Sequence, residues 1–410
     1  MKVVALETVR TRSHANLIWV HVETDDGRRG LGETFFFPTA VETYLHDVVA
    51  PMLIGGDATR IEHWHATLMR QPVGYGASGV EVRAASAVDV ALWDLMGRAT
   101  GLPLWRLLGG LVRDGVRIYN TCAGPHYATK DRGEVGRWFG IDHGDTKDLD
   151  DLKAFMEEPV RLARDLMAEG VTGMKIWPFD FAAFENGGVG ITPAQIEAGV
   201  RPFRLIREAL GPAMDLMVEL HGLWDLESAK RIIRAVEPWA PAWFEDPIRM
   251  DDLDGLAELA RFTRVPILAS ETTATKEAFR RLMERRAVGI VSFDVGWSGG
   301  ITECRKIAAM ADAWGLPVAP HDCTGPVGYV AGACLSLTNR NAMVQETVRA
   351  YVRGWYRAIA TDLPPIEGGR LLPLPGPGLG FDLSPAFLAD PGTIRRRTGA
   401  PPRPSQEVRA

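Results

Sequence analysis

Between residues 116 and 346 the chain repeats one texture, a short apolar run followed by a helical stretch. The runs are VRIYNTCA (116–123), GMKIW (173–177), DLMVELH (215–221), AWFED (242–246), PILASE (266–271), GIVSFDV (289–295), PVAPH (317–321) and MVQE (343–346). Stretches between them, such as ESAKRIIRAV (227–236) and ITECRKIAAMADAWG (301–315), carry apolar residues at helical spacing. Strands that alternate with helices form a parallel sheet, and eight such units can close into a barrel. This rhythm limits the chain more than any other feature.

The flanks read differently. LIWVHVET (17–24), the turn Asp25-Asp26-Gly27 and a return strand from Arg29 to Glu33 predict a hairpin. In AASAVDVALWDLMGR (84–98), Ala84, Val88, Ala91, Leu92 and Leu95 fall on one helical stripe, with Gly101 and Pro103 as stop signals. Residues 124–158 break the barrel rhythm as a long polar insert, expected on the catalytic face. After residue 358 the chain is rich in Pro and Gly, and LLPLPGPGLGFDL is expected to pack back on the N-terminal part. The last dozen residues are expected to be disordered, and Arg395-Arg396-Arg397 to be a solvated terminus. The expected domains are an N-terminal α+β cap over 1–115, a barrel over 116–357 and a C-terminal segment over 358–410.

Composition narrows the class. Hydrophobic content of 46% and charged content of 24% are ordinary for a soluble globular protein. A net charge of −6 gives no reason to expect nucleic acid. Cys122, Cys304, Cys323 and Cys334 form no CxxC pair and no zinc spacing, which suits reduced thiols in the cytoplasm. The opening MKVVALETVRTRSHANLIWV lacks the apolar core and cleavage site of a signal peptide. No segment reaches the roughly 18 uninterrupted apolar residues of a membrane span.

In a barrel, residues at the C-terminal ends of strands face the active site. Here those ends carry Glu219, Glu245, Glu271, Asp294, His321 and Glu346. The first three lie at equal intervals along the chain. Three convergent carboxylates repel one another unless a cation neutralises them, and a hard divalent ion such as Mg²⁺ does so through oxygen ligands. Asp294 and His321 come from consecutive strands, so the carboxylate can orient the imidazole as a general base. His221 shares a strand face with Glu219 and therefore also looks into the site, although a structural His at a loop start reads the same way. Glu346 could donate to an oxygen that gains charge, provided an enclosed acidic site keeps it protonated.

Taken in order, GLGET (30–34), ASAVDVALWDLMGRATGLPLWRLLGG (85–110), FEDP (244–247), the Asp294/His321 pair and PGPGLGF (375–381) resemble the enolase superfamily, in its mandelate racemase-like subgroup. The resemblance covers most of the chain. It implies a modified (β/α)7β TIM-like barrel with an N-terminal α+β capping domain completed by the C-terminal tail. It also implies one Mg²⁺ per chain on Glu219, Glu245 and Glu271, with Asp294 and His321 as base and Glu346 as electrophilic donor. A homo-oligomer with a small-molecule substrate, and no nucleic-acid or membrane partner, goes with it.

Two departures shape the expected reaction. The family often has Lys-x-Lys at the end of the second barrel strand, and its second Lys serves as the opposing base. Here the segment is Lys175-Ile176-Trp177, so Lys175 remains as a carboxylate contact and Trp177 cannot take a proton. Glu219 stands where Asp is commoner. His221, two residues on, resembles the general acid of acid-sugar dehydratases. The resemblance therefore implies dehydration of an aldonate-like acid sugar to a 2-keto-3-deoxy acid, with anti geometry because His221 and His321 lie on strands three and seven. Racemisation or epimerisation by His321 with Lys175, a base drawn from the insert, and a non-catalytic ligand-binding barrel are the alternatives. Substrate contacts are expected from Trp177, His126, Tyr127, Arg132 and Asn120, and from the cap at Arg12 to Asn16, Phe35 to Phe37 and Gly74 to Ser78.

Overall fold

A computed structural model describes residues 1–70, 78–125, 127 and 149–399. Strands β1 (Val3–Thr11), β2 (Leu17–Thr24) and β3 (Arg29–Phe35) form the antiparallel sheet of an N-terminal α+β cap. Helix Val80–Thr100 covers it, burying Ala84, Val88, Ala91, Leu92 and Leu95, the stripe read from the sequence. The contact is close because β3 carries Gly30 and Gly32. A Cβ at Gly30 would stand 2.0 Å from the Ala91 carbonyl oxygen, and one at Gly32 would stand 1.9 Å from that of Ala87. Only glycine lets the strand and helix backbones approach so far.

The barrel strands are β4 (Val116–Thr121), β5 (Gly173–Ile176), β6 (Asp215–Glu219), β7 (Trp243–Glu245), β8 (Ile267–Ala269), β9 (Ile290–Val291) and β10 (Gln345–Thr347). Neighbours from β4 to β9 pair in parallel, and β10 pairs in parallel with β4. The run at 317–321 makes no ladder of its own. Pro317 and Pro320 remove two donors from it, and bridges from Val318 to Val291 and Ala342 close the circle. The fold is the barrel with an α+β cap that the sequence implied.

Alternation along the strands sorts the barrel interior into layers. Tyr119, Met217, Trp243, Leu268, Ile290, Ala319 and Val344 form one apolar cluster. Gly173 leaves room for it, since a Cβ there would lie 2.9 Å from Tyr119 Cβ. Two residues further along their strands stand Thr121, Lys175, Glu219, Glu245, His321 and Glu346. An apolar plug thus carries a polar layer at the strand C-termini.

The insert and the tail contribute elements of their own. Residues Asp151–Glu157 at the end of the insert form a helix, capped by Asp150, whose Phe155 ring lies 5.4 Å from that of Trp177. In the tail, β11 (Ile366–Glu367) and β12 (Arg370–Leu371) form a hairpin that pairs with β4, so this part joins the barrel rather than the cap. Arg395-Arg396-Arg397 lies in β13 (Thr393–Gly399), antiparallel to β1, and is not a solvated terminus. Those arginines pair with Glu7, Asp47 and Glu23, which lets β13 cover an edge that β1 would otherwise present. Residues 400–410 lie outside the described residues.

Cap and tail meet at Asp94, which is fully buried. Its Oδ2 accepts from the Leu31 amide at 2.8 Å and from Arg98 Nε at 2.7 Å, and its Oδ1 accepts from the Leu379 amide at 2.7 Å. GLGET and PGPGLGF are thus held by one carboxylate. Arg98 also donates to Asp382, which faces His21. Burial acts to raise the Asp382 pKa, but His21 and Arg98 outweigh it and hold the carboxyl down at about 2. Among the described residues no helix is long and apolar enough to cross a membrane.

Two tests follow from the cap. Gly32→Ala is expected to cost about 3 kcal/mol by overpacking, read as a lowered unfolding midpoint in denaturant. Asp382 has a folded pKa below its ordinary 3.8, so its stabilisation is full above that value and is lost as pH falls through about 2. Asp382→Asn is therefore expected to melt below the parent at about pH 6, with the gap closing toward about pH 2.

Candidate active site

The polar layer opens into a cavity of about 300 Å³. Lys175, Glu219, His221, Glu271 and His321 line it, together with Trp177 and Tyr127. The Lys175 ammonium is buried beneath these groups. Its Nζ lies 2.7 Å from Glu245 Oε1, 3.0 Å from Glu346 Oε1 and 3.1 Å from Glu219 Oε2. Burial alone would discharge the ammonium, but Glu245, Glu346 and Glu219 hold its pKa well above the usual lysine value. A lysine so held stands as a cation among these carboxylates.

The carboxylates differ in how they are satisfied. Glu219 Oε1 accepts from the amides of Leu220 at 3.0 Å and His221 at 2.7 Å. Against burial, His221 and Lys175 hold its pKa down at about 2. Glu245 accepts from Trp243 Nε1 at 3.0 Å, yet burial and the nearby Glu219 push its pKa well up. Glu271 Oε2 is buried with no hydrogen-bond partner among the described residues, and burial raises its pKa. Asp246 accepts from Ser270 Oγ at 2.6 Å, and burial with Glu271 and Glu219 raises it too.

Glu346 departs from the sequence reading. It accepts from Thr121 Oγ1 and, at 2.8 Å, from the Asp322 amide. Burial favours its protonation, but Lys175, His321 and these donors outweigh burial and keep its pKa low. Its oxygens accept from these groups and its pKa is lowered, whereas the sequence reading expected an acidic enclosure to raise it.

Two imidazoles face the cavity, each braced by an aspartate. His321 Nδ1 lies 2.8 Å from Asp294 Oδ2, while Asp294 Oδ1 accepts from the Gly296 amide at 2.7 Å. His221 Nδ1 lies 2.6 Å from Asp180 Oδ2, and its Nε2 lies 3.4 Å from the Tyr127 hydroxyl. Burial lowers both imidazole pKa values, but the surrounding carboxylates win. Glu346, Asp294 and Glu271 lift His321 to about 10, and Asp180 and Glu219 lift His221 to about 9.

Asp180 was missed in the sequence. It opens the helix Asp180–Asn186, three residues beyond Trp177, and no strand-end rule selects it. An acidic residue in the first turn of a helix that follows a barrel strand was the available signal.

The cap supplies the opposite side of the cavity. Thr34 Oγ1 donates to the Gly296 carbonyl at 2.6 Å, and Glu33 accepts from the Gly328 amide at 3.0 Å. These bonds lock the end of β3 onto the barrel loops and bring Phe35, Phe36 and Phe37 to the cavity. Asn120 stands elsewhere. It points out of the barrel, donates to Asp151 at 2.9 Å and accepts from the Arg349 amide at 2.9 Å. Arg12 and Asn16 do not line the cavity either, whereas His126, Arg132 and Gly74 lie outside the described residues.

Whether this site suits a divalent cation can be judged from its donors. Among the described residues no three acidic, imidazole or thiol groups are arranged to hold a metal ion as they stand. The Lys175 ammonium draws Glu219 and Glu245 toward itself. The chemistry of the set nevertheless fits a hard cation. Glu219, Glu245, Glu271 and Asp246 are buried oxygen donors, one oxygen of Glu271 is unsatisfied, and a single ammonium cannot neutralise them all. The charge that lifts both imidazoles is the charge such a cation would offset.

The comparisons agree with this geometry. Residues 158–387 match the family described as Enolase C-terminal domain-like, and residues 3–109 match the Mandelate racemase / muconate lactonizing enzyme N-terminal domain. The chain is 31% identical over 401 residues to a D-galactonate dehydratase of Ralstonia pickettii, covering 95% of this chain and 94% of that protein. It is 30% identical over 392 residues to a D-galactonate dehydratase of Variovorax paradoxus, covering 93% and 92%. A crystal structure of an enolase of the mandelate racemase subgroup from Agrobacterium tumefaciens is 43% identical, with a TM-score of 0.85 over 98% of this chain and 99% of that one. An enolase protein from the Sargasso Sea environmental genome is 40% identical, with a TM-score of 0.86 over the same shares. With both domain families matched in order along a barrel whose strand ends carry this polar layer, the chain belongs to the enolase superfamily, in its mandelate racemase and muconate lactonizing subgroup.

Proposed function

We propose that this chain is a hydro-lyase that converts an acid sugar to a 2-keto-3-deoxy acid. One observation carries the reading: two imidazoles, each oriented by its own aspartate, face a single cavity beside a buried lysine–carboxylate cluster. Dehydration through an enolate needs a base for the C2 proton and an acid for the departing 3-hydroxyl. His321, oriented by Asp294, takes the proton in this assignment, and His221, oriented by Asp180, gives one to the hydroxyl. They come from opposite sides of the barrel, which supports anti elimination. Lys175 stabilises negative charge on the substrate carboxylate as the enediolate forms. Glu346 holds Lys175 and the Asp322 loop through its carboxylate oxygens. The D-galactonate dehydratases among the relatives support the reaction class.

Members of this superfamily generally depend on Mg²⁺. Glu219, Glu245 and Glu271 would hold one ion per chain, with Lys175 turned toward the substrate carboxylate. When bound, the ion supplies a fixed positive charge that lowers the energy of the enediolate. Four free cysteines, three of them buried, suit a reducing cytoplasm.

The His221–Asp180 pair also favours a second reading, in which His221 is a second base and the enzyme an epimerase. Trp177 removes only the lysine of that role, not the imidazole.

Product analysis in D₂O separates these readings. The His321→Asn variant is expected to lose both keto-acid formation and C2 exchange by about 10² to 10⁴. His221→Asn is expected to lose keto acid but to keep C2 exchange. Recovery of a C2 epimer from the wild type without keto acid would sink the dehydratase reading. Treatment with EDTA is expected to abolish turnover and added Mg²⁺ to restore it; turnover that survives exhaustive chelation would remove the metal assignment.

A further inference from the structure

The cavity has two unlike halves. One side carries the lysine, glutamates and imidazoles already assigned. On the cap side stand Phe35, Phe36, Phe37 and Trp297. The Trp297 ring lies 5.4 Å from that of His321, 5.2 Å from that of Phe36 and 6.1 Å from that of Phe35. A substrate with C2 at His321 therefore passes Trp297 and ends against Phe36. The indole nitrogens do not soften this wall. Trp297 Nε1 and Trp177 Nε1 are buried without a hydrogen-bond partner among the described residues, so both rings meet the cavity through carbon.

Each of the other polar side chains on the described lining has at least one partner, and Arg83 is the charged group beside the aromatic wall. Arg83 Nη1 donates to the Phe35 carbonyl at 2.8 Å, and its guanidinium lies 4.7 Å over the Trp297 ring. Thr272 shares a hydrogen bond with Ser270 at 2.7 Å, and Thr121 donates to Glu346. The Cys323 thiol lies 3.7 Å from the Tyr351 hydroxyl. Among the described residues, the far carbons of a fully hydroxylated acid sugar would meet mostly ring carbon, with Arg83 beside it. With a volume of about 300 Å³, the cavity is also at the small end for a ligand site.

We infer that the substrate is an acid sugar hydroxylated near its carboxylate and apolar at its far end, a deoxy acid that ends in methyl rather than hydroxymethyl. This rests on the dehydration reading and departs from the fully hydroxylated substrate named for the D-galactonate dehydratases. The terminal methyl packs against Phe36 and Trp297. The 2- and 3-hydroxyls stay at the reacting end. Phe36 is the specificity residue of this arrangement.

The test uses the full chain with Mg²⁺ and two panels, hexonates and 6-deoxyhexonates matched at every stereocentre from C2 to C5, plus hexarates. Keto-acid formation is measured for each. For the configuration that is turned over, kcat/KM is expected to be about 10- to 100-fold higher for the 6-deoxy acid, the usual span for one hydroxyl in an apolar pocket. Phe36 has φ of 70°, a conformation asparagine tolerates, so Phe36→Asn is the matching variant. It is expected to bring the ratio toward one, and a folded variant that keeps the full preference would remove Phe36 from the role. Equal turnover of the matched pair, or preference for the hydroxylated acid, would overturn the inference and leave dehydration standing. A hexarate preferred over both would overturn it too, and would place a second carboxylate at Arg83. If no acid in any panel yields a keto acid, the dehydration reading fails and this inference with it.

Discussion

The site is organised around the burial of like charge. Glu219, Glu245, Glu271, Glu346 and Asp246 are all buried near one another, with Lys175 as the ammonium among them. Such a cluster costs free energy in a medium that screens poorly, and it persists only with compensating cations. Lys175 supplies one, and its contacts fix where three glutamates lie. The remaining imbalance raises Glu245, Glu271 and both imidazoles together. One electrostatic deficit therefore accounts for the acid–base state of the pocket and for its suitability to a divalent ion.

That cluster needs a rigid support, and the barrel provides it by alternation. The apolar layer from Tyr119 to Val344 fills the interior one step below the charged layer. Trp243 belongs to that apolar cluster and bonds the Glu245 above it, so packing and electrostatics share a residue. The cap is held with equal economy of parts. Asp94 ties β3, its own helix and the tail, and Glu33 and Thr34 tie β3 to the barrel loops. The position of Phe36 over the reacting centre is a consequence of those bonds.

Much of this was legible because strand periodicity is a local property. The runs carrying Glu219, Glu245 and Glu346 became strands on which these residues face inward, as the pattern required. The Asp294–His321 contact followed from placement on adjacent strand ends. Other features were not legible. Asn120 sits one residue out of phase with the inward-facing Tyr119 and Thr121, and so it points away from the cavity. Asp180 braces His221 from a helix start, a place that no strand pattern marks. The arginine run at 395–397 looked like a solvated end because its partners, Glu7, Asp47 and Glu23, are hundreds of residues distant.

By itself the sequence determined the barrel, the cap, the charged strand ends and the missing second lysine at Trp177. Each of these depends on residue type at a repeating interval, which needs no knowledge of what packs against what. Tertiary structure alone decided the protonation balance and the character of the pocket. The pKa of Glu346 is lowered because Lys175 and His321 come within its field, although burial by itself would raise it. The aromatic wall exists because two distant segments, the end of β3 and the loop at Trp297, are brought together over the barrel mouth. Long-range electrostatics and the meeting of distant surfaces depend on distances through space, and those distances exist only once the chain has folded.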